Sequence, residues 1–133
     1  MVNKYFNKPV FVNGVRFDSK KEYQRYLYLS DQEKQGKIAN LNRQVKYTLI
    51  PKQIETIEVQ LKTKTKLVEK HLEYPITYTA DFVYEVDGKV VVEDVKASKK
   101  LASLDNVYPI KRKLLLWVHG IKLKEVYEAT EKI

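Results

Sequence analysis

The segment from Thr79 to Lys96 constrains the fold most. It reads Thr-Ala-Asp-Phe-Val-Tyr-Glu-Val, then Asp87-Gly88, then Lys-Val-Val-Val-Glu-Asp-Val-Lys. Asp-Gly between two β-rich runs is the strongest short-range hairpin signal, because both residues accept the positive φ of a type I′ turn. A two-residue loop pairs Val86 with Lys89 and fixes every later pair: Glu85 with Val90, Val83 with Val92, Asp81 with Asp94, and Thr79 opposite Lys96. Opposed residues share a face, so Asp81 and Asp94 stand side by side with Val83 and Val92. Lys96, two residues beyond Asp94, points to that same face, and Glu93 points to the other.

Two carboxylates placed this way repel unless a proton or a cation lies between them, and a hard divalent cation suits an all-oxygen pair. The competing reading is that both aspartates sit at frayed strand ends where charge costs little, and the spacing alone leaves both open. Glu22 bears on the choice. Asp18 and Ser19 offer N-caps for a helix over about Lys20–Gln35, and Glu22 falls three residues after Ser19. Its ordinary role is the return half of a capping box. A carboxylate at a helix start can also face an adjacent sheet and supply a third acid.

The remaining elements follow from pattern. Val10–Val12 and Val15–Phe17 around Asn13-Gly14 predict a first hairpin. In the helix, Tyr23, Tyr26, Leu27 and Ser30 form the expected stripe, and Gly36 ends it. Alternation predicts strands at Gln44–Ile50 and Ile54–Leu61, with Pro51 as a breaker; Lys62–Lys66 reads as an exposed basic turn or strand end, or as a lysine finger along a phosphate backbone. A later helix runs from about Tyr108-Pro109 to Val118, with Leu114, Leu115 and Trp117 as its core face, and Ile121-Lys122-Leu123 begins a last strand. Lys111, Arg112 and Lys113, early in that helix, and Lys99 before it are the candidate phosphate contacts, aided by backbone N–H groups at the helix start. Both hairpin faces are expected to be buried, Val83, Val90 and Val92 on one, Phe82, Tyr84, Val91 and Val95 on the other.

Composition limits the function. A chain of 133 residues suits one domain, 1–133. Lysine and arginine number 25 against 17 acids, a net +8 with pI near 9.5, which fits a polyanion partner, DNA above all, as well as it fits plain solubility. No cysteine is present, which excludes disulfides, zinc-thiolate sites and thiol catalysis. His71 and His119 are too isolated for a histidine metal site or a catalytic triad. No apolar run reaches a membrane span or a signal peptide, so an intracellular location and no membrane partner are expected.

Phe-Asp-Ser-Lys-Lys-Glu opening a helix, Tyr-Thr-Ala-Asp-Phe on a strand, Val-Val-Glu-Asp-Val-Lys on the next, and Tyr-Pro-Ile-Lys-Arg-Lys-Leu opening a later helix closely resemble a phage and prophage family of small PD-(D/E)xK proteins, from about Asn3 to Lys124. In its core that family is similar to the phage endonuclease I Holliday-junction resolvases. The resemblance implies an α/β fold with a restriction-endonuclease-like core, a mixed sheet flanked by helices. It makes Glu22, Asp81, Asp94 and Lys96 the catalytic set, with Glu22, Asp81, Asp94 and the Val95 carbonyl holding Mg²⁺ or Mn²⁺. Ala80 stands where the superfamily name has proline.

The implied activity is Mg²⁺-dependent hydrolysis of DNA phosphodiester bonds, on branched or four-way-junction DNA, in phage recombination or packaging in the host cytoplasm. Lys96 would orient the water or neutralise developing charge. The alternative class is a non-catalytic module that binds DNA or a replication protein. A sequence-specific restriction-type nuclease is the rival within the enzyme class, with little room here for a base-reading insert. Symmetric cutting of a junction needs two active sites, hence an expected homodimer.

Overall fold

The structure is a computed structural model that describes residues 8–102 and 104–133. Residues 3–7 of the resembling span lie outside the described residues. In chain order the elements are β1 (Val10–Val12), β2 (Val15–Phe17), α1 (Lys20–Lys34), β3 (Ala39–Ile50), β4 (Gln53–Gln60), β5 (Thr65–Glu73), β6 (Ile76–Val86), β7 (Lys89–Val95), α2 (Lys99–Ala102), α3 (Tyr108–His119) and β8 (Lys124–Val126). The class is α/β. The central sheet has the order β3-β6-β7-β8, antiparallel except where β8 joins β7 in parallel, and it is therefore mixed.

Asp87 and Gly88 turn the chain with φ of 50° and 78°, and the register follows: Val86 pairs with Lys89, Glu85 with Val90, Val83 with Val92. Among the described residues this ladder ends at Phe82 and Glu93, one step short of the Asp81–Asp94 pair, and Lys96 lies beyond the end of β7, so no ladder joins it to Thr79.

The two longer helices, α1 and α3, each cover one face of the sheet. Leu29 of α1 packs with Ile38, Phe82 and Tyr84; Leu115 and Tyr108 of α3 pack with Leu49, Tyr78, Ala80 and Val92. Along β6, Tyr78 and Ala80 belong to the α3 core while Phe82 and Tyr84 belong to the α1 core, although all four have the same parity. Along β3, Tyr47 and Leu49 join the α3 core and Leu41 the α1 core, again at one parity. Both strands thus change face at one level, where Gln44 adopts a left-handed φ of 51° opposite Asp81. The break in alternation puts two polar side chains between the two cores.

Four expectations are corrected. The α1 stripe is Glu22, Arg25, Tyr26 and Leu29 rather than one including Leu27, which is 48% exposed. A buried Arg25 is tolerated because Glu93 neutralises it. On α3, Leu115 is buried and Leu114 packs against the core, but Trp117 is 87% exposed because the helix presents only one narrow stripe to the sheet. Val90, beside the hairpin turn, is exposed and, among the described residues, belongs to neither core. The last strand begins at Lys124, after Ile121 and Leu123 have packed into the α3 core.

Past Ile50 the β3–β6 ribbon breaks. Residues 51–52 and 74–75 lie outside both ladders, with Pro51 in one strand and Pro75 in the other, neither able to donate a ladder hydrogen bond. Beyond the break, β4 and β5 pair as a separate two-stranded arm, from Gln53–Glu73 to Gln60–Thr65. The Lys62–Lys66 segment forms the tip of this arm and the start of β5, a strand that the sequence pattern did not predict.

Candidate functional site

The start of α1 is held against the end of β7. Ser19 caps the helix by accepting from the Glu22 N–H at 3.1 Å. Glu22 returns the interaction to the N–H of Asp18 at 3.0 Å, one residue earlier than in an ordinary capping box. Lys21 reaches across to the carbonyl oxygens of Lys96 and Ala97, at 3.2 and 2.7 Å. These contacts aim Glu22, 2% exposed, at the level of the sheet where Gln44 and Asp81 lie.

Gln44 links the acids. Its Nε2 donates to Glu22 Oε1 at 2.9 Å and lies 3.4 Å from Asp81 Oδ1. The other Asp81 oxygen accepts from the Val95 N–H at 2.8 Å. Oxygens of Asp18, Glu22 and Asp81 lie within 4.8 Å of one another, a group that could hold a metal ion. Two ligand oxygens across one hard cation are about 4–5 Å apart, and an all-carboxylate donor set suits such a cation.

The electrostatics agree with that fit. Burial pushes the Asp81 carboxyl well above its usual range, and the nearby Asp94 and Glu22 charges push it further. Glu22 is raised as well, first by burial and then by Asp18, against the lowering effect of Arg43, whose Nη2 lies 3.6 Å from Glu22 Oε1. Arg43 is itself held over the Phe17 ring at 3.9 Å. The carboxylates therefore face one another with less positive charge than they need.

Asp94 lies in a neighbouring arrangement. One oxygen accepts from the Tyr78 hydroxyl at 2.9 Å, and the other pairs with Lys96 Nζ at 2.7 Å. The Lys96 ammonium sits 3.1 Å from the centroid of the Tyr108 ring, whose hydroxyl donates to Glu125 at 2.8 Å. Burial and Asp94 keep the Tyr78 hydroxyl protonated by raising its pKa.

Of the residues expected from sequence, Glu22 and Asp81 converge directly, and Asp94 with Lys96 forms an adjacent ion pair. Val95 contributes its N–H to Asp81. Asp18, Gln44, Tyr78 and Tyr108 are additions. Asp18 was legible only as a capping residue, although its spacing of four from Glu22 was a signal; Gln44 carried none.

The expected phosphate contacts are more dispersed. Arg112 faces Glu125 at 3.7 Å, Lys99 lies 5.7 Å from the Tyr127 ring, and Lys113 is exposed while Lys111 is half-buried. At the start of α3 the Asp105 carboxylate accepts from the N–H groups of Val107 and Tyr108, at 2.9 and 3.1 Å. An acid thus occupies the place where backbone donors were expected to meet phosphate.

A family model described as "Protein of unknown function (DUF1064)" matches residues 2–124. The chain belongs to the DUF1064 family. No curated protein and no solved structure matches it significantly. Among the described residues of this DUF1064 member, no helix is long and apolar enough to cross a membrane.

Glu93, set aside in the sequence, anchors the opposite face. It accepts from Arg25 Nε at 2.8 Å and Nη2 at 2.7 Å, with both side chains fully buried, and from the Tyr84 hydroxyl. Arg25 also donates to the carbonyl oxygens of Ala129 and Glu131. This network ties α1, β7 and the C-terminal segment together beneath the candidate site.

Proposed function

We propose that this protein is a Mg²⁺-dependent endodeoxyribonuclease of the PD-(D/E)xK type, hydrolysing phosphodiester bonds in branched or four-way-junction DNA. The observation that carries this reading is Gln44 bridging Glu22 and Asp81 beside the Asp94–Lys96 pair. Three acids from a helix and two strands, with a lysine two residues after the last, match the expected catalytic set.

Asp18, Glu22 and Asp81 would hold the cation, with Asp94 near enough to add charge. A bound divalent cation supplies charge stabilisation at the attacked phosphate and a more acidic water. The chain's own residues do the positioning. The Val95 N–H fixes Asp81, Ser19 and Asp18 fix Glu22, and Tyr108 holds Lys96 where its ammonium can face a non-bridging phosphate oxygen. The net charge of +8 favours a DNA partner. Two cuts across a junction call for a homodimer.

One observation favours a second reading, a non-catalytic module that binds DNA or a replication protein. Asp94 and Lys96 already satisfy each other at 2.7 Å, as a purely structural ion pair would.

The test is incubation of the protein with labelled four-way junction, flap and linear duplex, with Mg²⁺, Mn²⁺ or chelator. Metal-dependent cleavage of the branched substrates supports the proposal. Equal cleavage of all three points to a general nuclease, and binding without cleavage in any metal supports the second reading.

A further inference from the structure

The β4–β5 arm leaves the body of the molecule beyond Pro51 and Pro75, and every residue of β5 is exposed. Two strands alone are marginal in water; three or more, or a covering helix, are needed for independent stability. Among the described residues β4 and β5 pack chiefly on each other. Leu67, Val68 and Leu72 on β5 are 65%, 36% and 46% exposed among charged neighbours, so the open edge of this nine-residue strand recruits only a strand whose charges complement its own.

The charges on the two edges differ. β4 carries Glu55 and Glu58 and no lysine, so it repels a second β4. The arm is polarised along β5: Lys62 and Lys64 in the turn and Lys66 at the start of the strand lie at the tip, whereas Glu69 and Glu73, with Lys70 and His71 between them, lie toward the base, which keeps a small acidic excess. Antiparallel self-pairing brings the lysines at the tip of one arm onto Glu69 and Glu73 of the other, twice, about a two-fold axis. Parallel pairing would stack like charges.

We infer that β5 is a dimerisation edge: β5 of a second copy adds antiparallel to it, closing the two arms into one continuous sheet with the strand order β4, β5, partner β5, partner β4. Four strands pass the threshold that two do not, and the Leu67 and Leu72 side chains gain same-face neighbours. A nucleic-acid backbone would satisfy the three tip lysines but would leave the glutamates at the arm's base and the apolar residues between them unused. The inference rests on the proposed function only for the dimer it supplies with an interface, and its deciding readout, the oligomeric state, needs neither DNA nor metal.

The test is sedimentation velocity on the full chain and two charge-reversed variants. One carries Glu69→Lys with Glu73→Lys, the other Lys64→Glu with Lys66→Glu. The wild type is expected to be a dimer at tens of micromolar, and each variant alone to dissociate at least about tenfold more readily. Mixing the two variants restores the dimer, because each basic half again meets an acidic one. That rescue also shows that neither variant has lost its fold. A monomeric wild type, variants that dimerise as tightly as wild type, or a mixture that stays monomeric while circular dichroism is unchanged would each overturn the inference. So would arm variants that weaken DNA binding and leave the oligomeric state untouched. Loss of the dimer with junction-independent cleavage intact would separate this interface from the chemistry of the site.

Discussion

The Asp81 carboxylate accepts a 2.8 Å hydrogen bond from the Val95 N–H, across strands whose backbone ladder has already ended at Phe82 and Glu93. A side chain thus takes over where the backbone pairing stops. Asp81 is consequently both a structural clamp and a member of the acid group, and substitutions there separate the two roles.

Asp81→Asn keeps an acceptor for Val95 and removes a charge that faces Asp94 and Glu22. In chelator it is expected to raise stability by about 0.5–2 kcal/mol in urea unfolding, to bind DNA like wild type and to lose metal-dependent cleavage. Asp81→Ala leaves the Val95 N–H without its partner and should lower stability by about 1–3 kcal/mol. Equal stabilities for the two variants would exclude the clamp.

The pH dependence has a definite sign. Glu22 and Asp81 have raised pKa values in the folded state, so the folded protein holds more protons than the unfolded chain between the ordinary carboxylate range, near pH 4, and those raised values. Stability contributed by the protonated forms is therefore lost as pH rises through that window. Thermal melts in chelator should show Tm falling there, and saturating Mg²⁺ should flatten the fall because the cation takes the place of the protons. A Tm that rises through the window in chelator contradicts the arrangement.

Lys96→Met should lower the cleavage rate by about 10²–10⁴-fold with DNA affinity little changed. Tyr108→Leu removes the ring beneath the Lys96 ammonium and the hydroxyl on Glu125, leaving the charge held by Asp94 but no longer confined by the ring. A smaller loss, about tenfold, is expected in single-turnover rate. If Tyr108→Leu cuts at the wild-type rate, the ring does not position the lysine.

Glu93→Gln breaks the fully buried pair with Arg25 and should cost about 3–5 kcal/mol by denaturant unfolding. Replacing both partners with apolar residues, Arg25→Met with Glu93→Leu, should cost much less, because no uncompensated charge remains. Comparable losses in the single and double variants would show that the Ala129 and Glu131 contacts matter more than the ion pair.

Local turn chemistry carried much of the fold into the sequence. Asp87-Gly88 fixed the register through Val83 and Val92, Ser19 marked the start of α1, and Gly120, with φ of 68°, ended α3. Parity arguments failed at Asp81 and Gln44, because period-two alternation cannot foresee a level at which two paired strands change face together. Trp117 and Leu27 misled because apolar character alone does not say which stripe of a helix meets the sheet. β5 escaped notice since its lysines and glutamates mask an alternation that no core enforces. Spacing alone left the Asp81, Asp94 and Lys96 site and frayed strand ends both open, and it was the family resemblance that made Glu22, Asp81, Asp94 and Lys96 one set; Gln44 reaches the acids only through a left-handed backbone that its sequence neighbours do not announce.

The paired prolines at 51 and 75 interrupt both strands at the same level. Tension or fraying in the arm consequently has no continuous ladder along which to travel into β3 and β6. A change of length or orientation in the arm would therefore leave the spacing between the acids on the sheet insulated from it.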